Sequence, residues 1–233
     1  MGIRKRIIIF SLIFGWLAGI VFAEQKKQVA GVLAHTFGQV EIQRLGAEKF
    51  VRARSGDTVY EGEKIKVGRN SRAGLILLGG GEIKINQNTF LTVGPGRTVM
   101  GQARNWINLI RGRIYNKVHG LRKLDVKTPV ATCAVRGTEY QTQVEDDGST
   151  AVIVVAGAVS LENEFGSAIV NPGEMATVKP GKAPEPPQKI NEEKIKQETG
   201  WQQEIKIEKK VLRLQVGSDK EKEGKTIELR FRK

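Results

Sequence analysis

The residues able to do chemistry are few and scattered. Arg136, Gly137 and Thr138 stand together, and the planar fork of Arg136 could hold a carboxylate or phosphate. Asp146 and Asp147 precede Gly148 and could touch a cation. Two carboxylates fall short of the about six to eight oxygens that Ca²⁺ takes, and a Gly-containing hairpin turn accounts for the trio without metal. The imidazoles are His35 and His119, neither beside an obvious nucleophile in sequence, and two are too few for a His-based metal cage. Leu78-Gly79-Gly80-Gly81-Glu82 lacks the Lys-Ser/Thr that completes a phosphate-cradling loop, and no Gly-x-Ser-x-Gly nucleophile elbow occurs. The single cysteine, Cys133, excludes an intramolecular disulfide and sits in the apolar run Pro129 to Val135, where it reads as a small buried hydrophobe. A non-enzyme without cofactor or metal is expected.

The elements that must position these residues are short strands. Gly38 to Ile42, Glu63 to Val67 and Glu82 to Ile85 alternate apolar with polar at period two, the signature of strands buried on one face. Later strands are expected at Ile107 to Ile110, Arg113 to Val118, Leu124 to Val126, Glu139 to Val144, Ala151 to Val155, Ala158 to Leu161, Ser167 to Val170 and Met175 to Val178. Turn residues recur between them at the spacing of an all-β domain, and the 27 glycines fit tight turns better than flexibility. Ala151 to Ala156 is apolar on both faces, so that strand should be central. A Pro-rich linker, 183–190, leads to a helix capped by Asn191 with Glu192 and Glu193 in its first turn, where Gly200 would weaken any continuation. Two strands, Val211 to Val216 and Thr226 to Phe231, flank a charged loop, Gly217 to Lys225. This tail is expected to pack on the β domain or on a partner.

Several motifs then fall in one order. Thr128-Pro129 precedes Val135-Arg136-Gly137-Thr138; next come the acidic turn ending at Gly148, the strand opened by Gly157-Ala158-Val159, and Asn171-Pro172-Gly173-Glu174. Upstream stand Ser55-Gly56-Asp57, Glu61-Gly62, Ile65 to Gly68, Asn70 to Ala73 and Leu75 to Leu78. The order resembles the FecR domain across about residues 31–182, with Gly80-Gly81 where the family has an Asp-Gly-Ser turn. The resemblance implies an all-β fold, a β-roll or solenoid-like succession of short strands, with a sandwich as the alternative. It makes Thr128, Pro129, Val135, Arg136, Gly137, Thr138, Gly148, Gly157, Gly173 and Glu174 hallmark positions. For Arg136 and Gly137 a binding element and a structural role, Gly137 as a bulge and Arg136 clamping neighbouring carbonyls or Glu139, are both open. The structural role is preferred, because a domain-wide hallmark more often maintains the fold.

Arg4, Lys5 and Arg6 precede an uncharged run from Ile7 to Ala23, a secretory signal pattern with cleavage expected after Ala23. An uncleaved anchor is the alternative. The chain thus divides into 1–23 signal segment, 24–30 N-terminal extension, 31–182 β domain, 183–190 linker and 191–233 helix-plus-hairpin tail. Export places the protein in the periplasm or outside the cell. The net charge of +13 invites a nucleic-acid partner; export removes it. The surplus sits on residues 24–126, with Arg44, Arg52, Arg54, Arg69, Arg72, Arg104, Arg111, Arg113, Arg122 and Lys123 prominent. It reads as a solubilising surface or as attraction to anionic envelope polymers. In family members a FecR domain senses an envelope signal for an anti-sigma regulator; with only six residues before the apolar run, direct sigma-factor control is not expected here. Two functions stay open: a binding or scaffold module contacting an envelope protein or cell-wall polymer, and a sensory component feeding a separate regulator. The sequence leaves the oligomeric state open.

Overall fold

In the computed structural model, residues 27–78, 80–94, 97–99, 102–118, 123–207, 212–216 and 225–229 are described. The expected signal segment and its cleavage point, the centre of the Gly94-Pro95-Gly96 turn, His119, Arg122 and most of the loop Gly217 to Lys225 lie outside them. The strands in chain order are β1 (Val29–Phe37), β2 (Val40–Gln43), β3 (Phe50–Arg52), β4 (Thr58–Tyr60), β5 (Lys64–Val67), β6 (Arg72–Leu77), β7 (Gly81–Ile85), β8 (Thr89–Val93), β9 (Arg97–Val99) and β10 (Gln102–Val118). They continue as β11 (Lys123–Lys127), β12 (Thr132–Arg136), β13 (Glu139–Val144), β14 (Thr150–Ala156), β15 (Val159–Asn163), β16 (Gly166–Val170), β17 (Glu174–Val178) and β18 (Gln188–Lys189). The described residues after β18 comprise helix α1 (Glu192–Thr199), a 3₁₀ turn (Gly200–Glu204) and the hairpin β19 (Leu212–Val216) with β20 (Lys225–Leu229).

The strands divide between two layers. The back sheet runs β4-β1-β6-β7-β10-β13-β14-β17-β18. The front sheet runs β3-β2-β5-β8-β10-β11-β12-β15-β16, with β9 beside the start of β10. Both orders progress along the chain in the same direction, so the polypeptide winds back and forth between layers from one end to the other. This is the roll expected from the sequence, two-layered in cross-section. Described pairings are antiparallel apart from β10 with β11.

β10 belongs to both layers. Its first part lies between β8 and β11 in front, and its last part between β7 and β13 behind. The sequence reading had two strands here, Ile107 to Ile110 and Arg113 to Val118; they are one strand of 17 residues. The bend is at Gly112, whose φ of 95° a side chain resists, and where a Cβ would come within 2.5 Å of the Thr89 Cα. Thr89 Oγ1 holds the bend by accepting from the Arg113 N–H at 3.1 Å.

Alternation decides the core. Ile42, Ile65, Leu91, Ile107 and Leu124 point inward from the front sheet and meet Leu33, Leu75, Ile83, Ile114 and Val152 from the back in one apolar cluster. Cys133 is part of it, free and fully buried, and burial pushes its thiol up to about 12. β14 is interior, between β13 and β17, and Val152, Ile153 and Val154 are buried on both faces as its composition predicted.

Two boundaries differ from the sequence reading. β1 begins at Val29, inside the stretch read as an extension, because Val29 to Leu33 pair with β4 and β6. The Pro-rich segment 183–190 is tied to the back sheet. Glu185 N–H donates to the Thr177 carbonyl at 2.9 Å, and β18 pairs with β17. Proline prevents a long ladder there, so pairing is confined to two residues.

Candidate functional site

The hallmark residues lie where the chain turns or changes layer. Thr128 closes the turn between β11 and β12: its Oγ1 accepts from the Ala131 N–H at 3.1 Å, and the Thr150 hydroxyl lies 2.9 Å away. Pro129 was expected to open a strand or lie at its edge. It sits instead within that turn, three residues before β12, against the hairpin turn that contains Gly148. Gly148 has φ 84°, and Asp147 caps the turn through the Ser149 N–H and hydroxyl, both at 2.8 Å. Those bonds hold the Asp147 carboxyl below its ordinary range. Asp147 thus serves a turn.

Gly137 links β12 in front to β13 behind, and Gly157 makes the return from β14 to β15. Both have positive φ, 64° and 80°, and the two crossovers touch: a Cβ on Gly157 would lie 2.9 Å from the Gly137 carbonyl oxygen. Thr138, 1% exposed, fastens them, donating to the Ala158 carbonyl at 3.0 Å while its own carbonyl accepts from the Val118 N–H. Val135 is buried in the core. Arg136 differs from the expected clamp. Its side chain is exposed, and Glu139 is engaged by Tyr115 Oη at 2.7 Å and Lys117 Nζ at 3.1 Å. Gly173, φ 79°, and Glu174 make the last change of layer, Glu174 accepting from the Asn171 N–H at 2.9 Å. Eight of the ten positions therefore gather into a Thr128–Pro129–Gly148 corner, a Gly137–Thr138–Gly157 crossover pair and a separate Gly173–Glu174 turn; Val135 belongs to the core and Arg136 to the surface. Among the described residues no group of three or more His, Cys, Asp or Glu converges as a metal would need.

What distinguishes possible binding surfaces is the outer face of each sheet. Across the back lies the segment 191–207. Asn191 caps α1 by accepting from the Lys194 N–H, as its position predicted. From there Glu198 reaches Arg113 at 3.4 Å, the Trp201 indole N–H donates to Gln141 Oε1 at 2.8 Å, and Gln202 accepts from Lys84 Nζ through both its carbonyl and Oε1. Glu204 pairs with Arg72 at 3.3 Å, and Ile205, 1% exposed, lands on Gly74 of β6 beside His35 of β1. Crossing from β17 to β1 means six strand spacings, about 29 Å at 4.8 Å each. One short helix, a 3₁₀ turn and three extended residues reach about 32 Å, so the segment is long enough to strap the sheet. Beneath it Lys84 is held below its usual range chiefly by burial, and Tyr115 is raised by burial and then by its bond to Glu139. The recess formed by Glu82, Lys84, Tyr115, Lys117, Glu139 and Gln202 is small, and the tail itself fills one side.

The front sheet is uncovered by the described tail. Its outward positions include three aromatic rings. Phe50 of β3 leans over β2 and β5 to meet Phe90 of β8 edge-to-face, centroids 6.1 Å apart, with Lys66 Nζ 5.8 Å from the Phe50 ring. Trp106 of β10 lies on the backbone of Gly94: a Cβ there would come within 1.8 Å of the indole carbons. Lys127 Nζ stands 5.3 Å from that indole. Lys66 has Glu41 at 3.6 Å; among the described residues Lys64, Lys127 and Arg111 have no acidic partner. None of the three rings was singled out as a candidate from the sequence. The available signal was an aromatic at an outward position of a period-two strand, as Phe90 is between Thr89 and Leu91.

Residues 63–160 match the family model described as FecR protein. A comparison with curated proteins finds no match. Two solved structures of a candidate anti-sigma factor from Parabacteroides distasonis are similar, both at 18% identity. One covers 59% of this chain and 63% of its own, with a TM-score of 0.51; the other covers 57% and 62%, with 0.48. The first shares the fold, and this chain spans 63% of its length. The matched stretch holds the two crossovers joined by Gly137 and Gly157 and ends before Gly173 and Glu174. Over residues 63–160, a stretch that includes Thr128 to Gly157, the chain carries a FecR domain.

Proposed function

We propose that the protein is an exported, non-enzymatic FecR-domain module that binds a component of the cell envelope through the outer face of its front sheet. The observation that carries this reading is the inequality of the two faces. The back is occupied by the chain's own tail, whereas the front keeps three aromatic rings outward together with Lys64 and Lys127, which have no acidic partner among the described residues. The basic start and apolar run of residues 4–23 support export. Photocrosslinking residues placed one at a time at Thr92 or Thr132 in front, and at Gln143 behind, test it in intact cells. Adducts from the front positions alone are expected; equal adducts from both faces, or none, sink the reading. Mass determination of the mature N-terminus tests export, with Glu24 as the expected first residue.

A second reading, a sensory component that relays an envelope signal to a separate regulator, is favoured by the shared fold with a candidate anti-sigma factor. Here the front-face adduct would be a signalling protein, and deleting the gene would abolish a transcriptional response.

A further inference from the structure

We propose that the front face binds a strand of acidic polysaccharide, its sugar rings stacking on Trp106 and on the Phe50–Phe90 pair and its carboxylates meeting Lys64, Lys66 and Lys127. This rests on the reading above that the front face meets the partner. The Trp106 indole is held face-on to the sheet by the glycine beneath it, which is how a sheet presents a flat apolar platform. The CH face of a pyranose is apolar and matches such a platform. Phe90 and Gly94 are four residues apart on one strand path, about 13 Å at 3.3 Å per residue. The two platforms therefore suit an oligosaccharide better than a monosaccharide. A lysine beside each platform places one cation near each stacked ring, the charge pattern of a uronic acid chain.

Single-stranded nucleic acid also combines stacking with cations. Against it, carboxylates are interleaved on this face: Glu41 sits 3.6 Å from Lys66, and Asp125 lies opposite Trp106 in register. Both polyanions meet repulsion there, but a uronic acid chain carries free hydroxyls that can donate to these carboxylates, which a DNA backbone lacks. The cations beside the rings, Lys66 and Lys127, are lysines, which act as point charges rather than as forks that grip phosphate.

The test is affinity electrophoresis and calorimetry of the full chain with polygalacturonate, dextran, polyaspartate, poly(dT) and anionic phospholipid vesicles. Polygalacturonate is expected to bind, weakening as salt rises, and to bind at least tenfold tighter than each of the others. Trp106→Ala and Gly94→Ala should each weaken it at least tenfold, the second because the new methyl displaces the indole. Lys127→Gln should lower the salt dependence while leaving the circular dichroism and melting temperature unchanged, which separates lost contact from lost fold. Absence of polygalacturonate binding, equal binding of polyaspartate or vesicles, or tighter binding of poly(dT) overturns the proposal. Front-face crosslinks to a protein without polysaccharide binding would overturn this inference and leave the module reading standing. Polysaccharide binding without front-face crosslinks in cells would do the reverse.

Discussion

The back and front sheets are built from the same kind of strand around one shared core, yet their outer faces have opposite fates. Behind, Arg72, Lys84 and Arg113 are met by Glu204, Gln202 and Glu198 of the tail, and Ile205 is buried over Gly74. In front, Lys64 and Lys127 have no acidic partner among the described residues, and Lys127 stands beside the Trp106 ring. The difference teaches that the basic residues of 24–127 do two jobs. Those behind dock an acidic segment of the same chain; those in front remain for something else.

Removing the strap should break this contrast most severely. A chain ending at Ile190 exposes the buried outward residues Ile76 and Ile153, and it should bind a hydrophobic dye and lose more than about 10 °C of thermal midpoint, at roughly 2–4 °C per kcal/mol for a domain of this size. An unchanged midpoint would show that the strap is not part of the fold. Ile205→Ala removes the single buried aliphatic anchor of the segment and should cost about 2–4 kcal/mol in a denaturant titration. Trp201→Phe keeps the ring but loses the bond to Gln141, for about 1 kcal/mol. The ion pairs count for less, since exposed pairs contribute about 0–1 kcal/mol. Lys66→Gln in front should shift stability by no more than about 0.5 kcal/mol; a larger loss would mean that the front cations are structural as well.

Titration sharpens the same contrast. Lys84 is lowered chiefly by burial under the tail. Its charged form is therefore disfavoured in the folded state, and stability should rise as pH climbs through its folded pKa towards 10.5. Releasing the strap by truncation should return the Lys84 titration, followed by NMR, to the ordinary lysine range. A titration unmoved by truncation would put the cause within the sheet.

The periodic strands, the interior position of Ala151 to Ala156 and the Asn191 cap were legible because each rests on local chemistry: alternation, two-sided apolarity, and a side-chain acceptor before a helix. The hallmark order marked the FecR domain, and its glycines do occupy left-handed positions at turns and crossovers. The single strand through Gly112 was not legible. A glycine between two apolar runs reads as a turn unless the partners on each side are known, and those are β8 and β11 before it, β7 and β13 after it. The strap was hidden for a related reason. Ile195 and Ile205 look too few for a core, and only the sheet beneath reveals that Gly74 makes room for Ile205. The front aromatics were invisible because Trp106 and Gly94 are twelve positions apart and carry meaning only as neighbours. The clamp expected of Arg136 failed because its strand ends at the surface, leaving the guanidinium in water while closer groups take Glu139.

β10 acts as a rivet. Because one continuous backbone is hydrogen-bonded into both layers, neither sheet can slide along or peel from the other without tearing its own central ladder. The molecule should therefore open as one cooperative unit instead of layer by layer. Amide exchange at Ile107 and Ile114, on opposite sides of the Gly112 bend, should reach the same ceiling of protection.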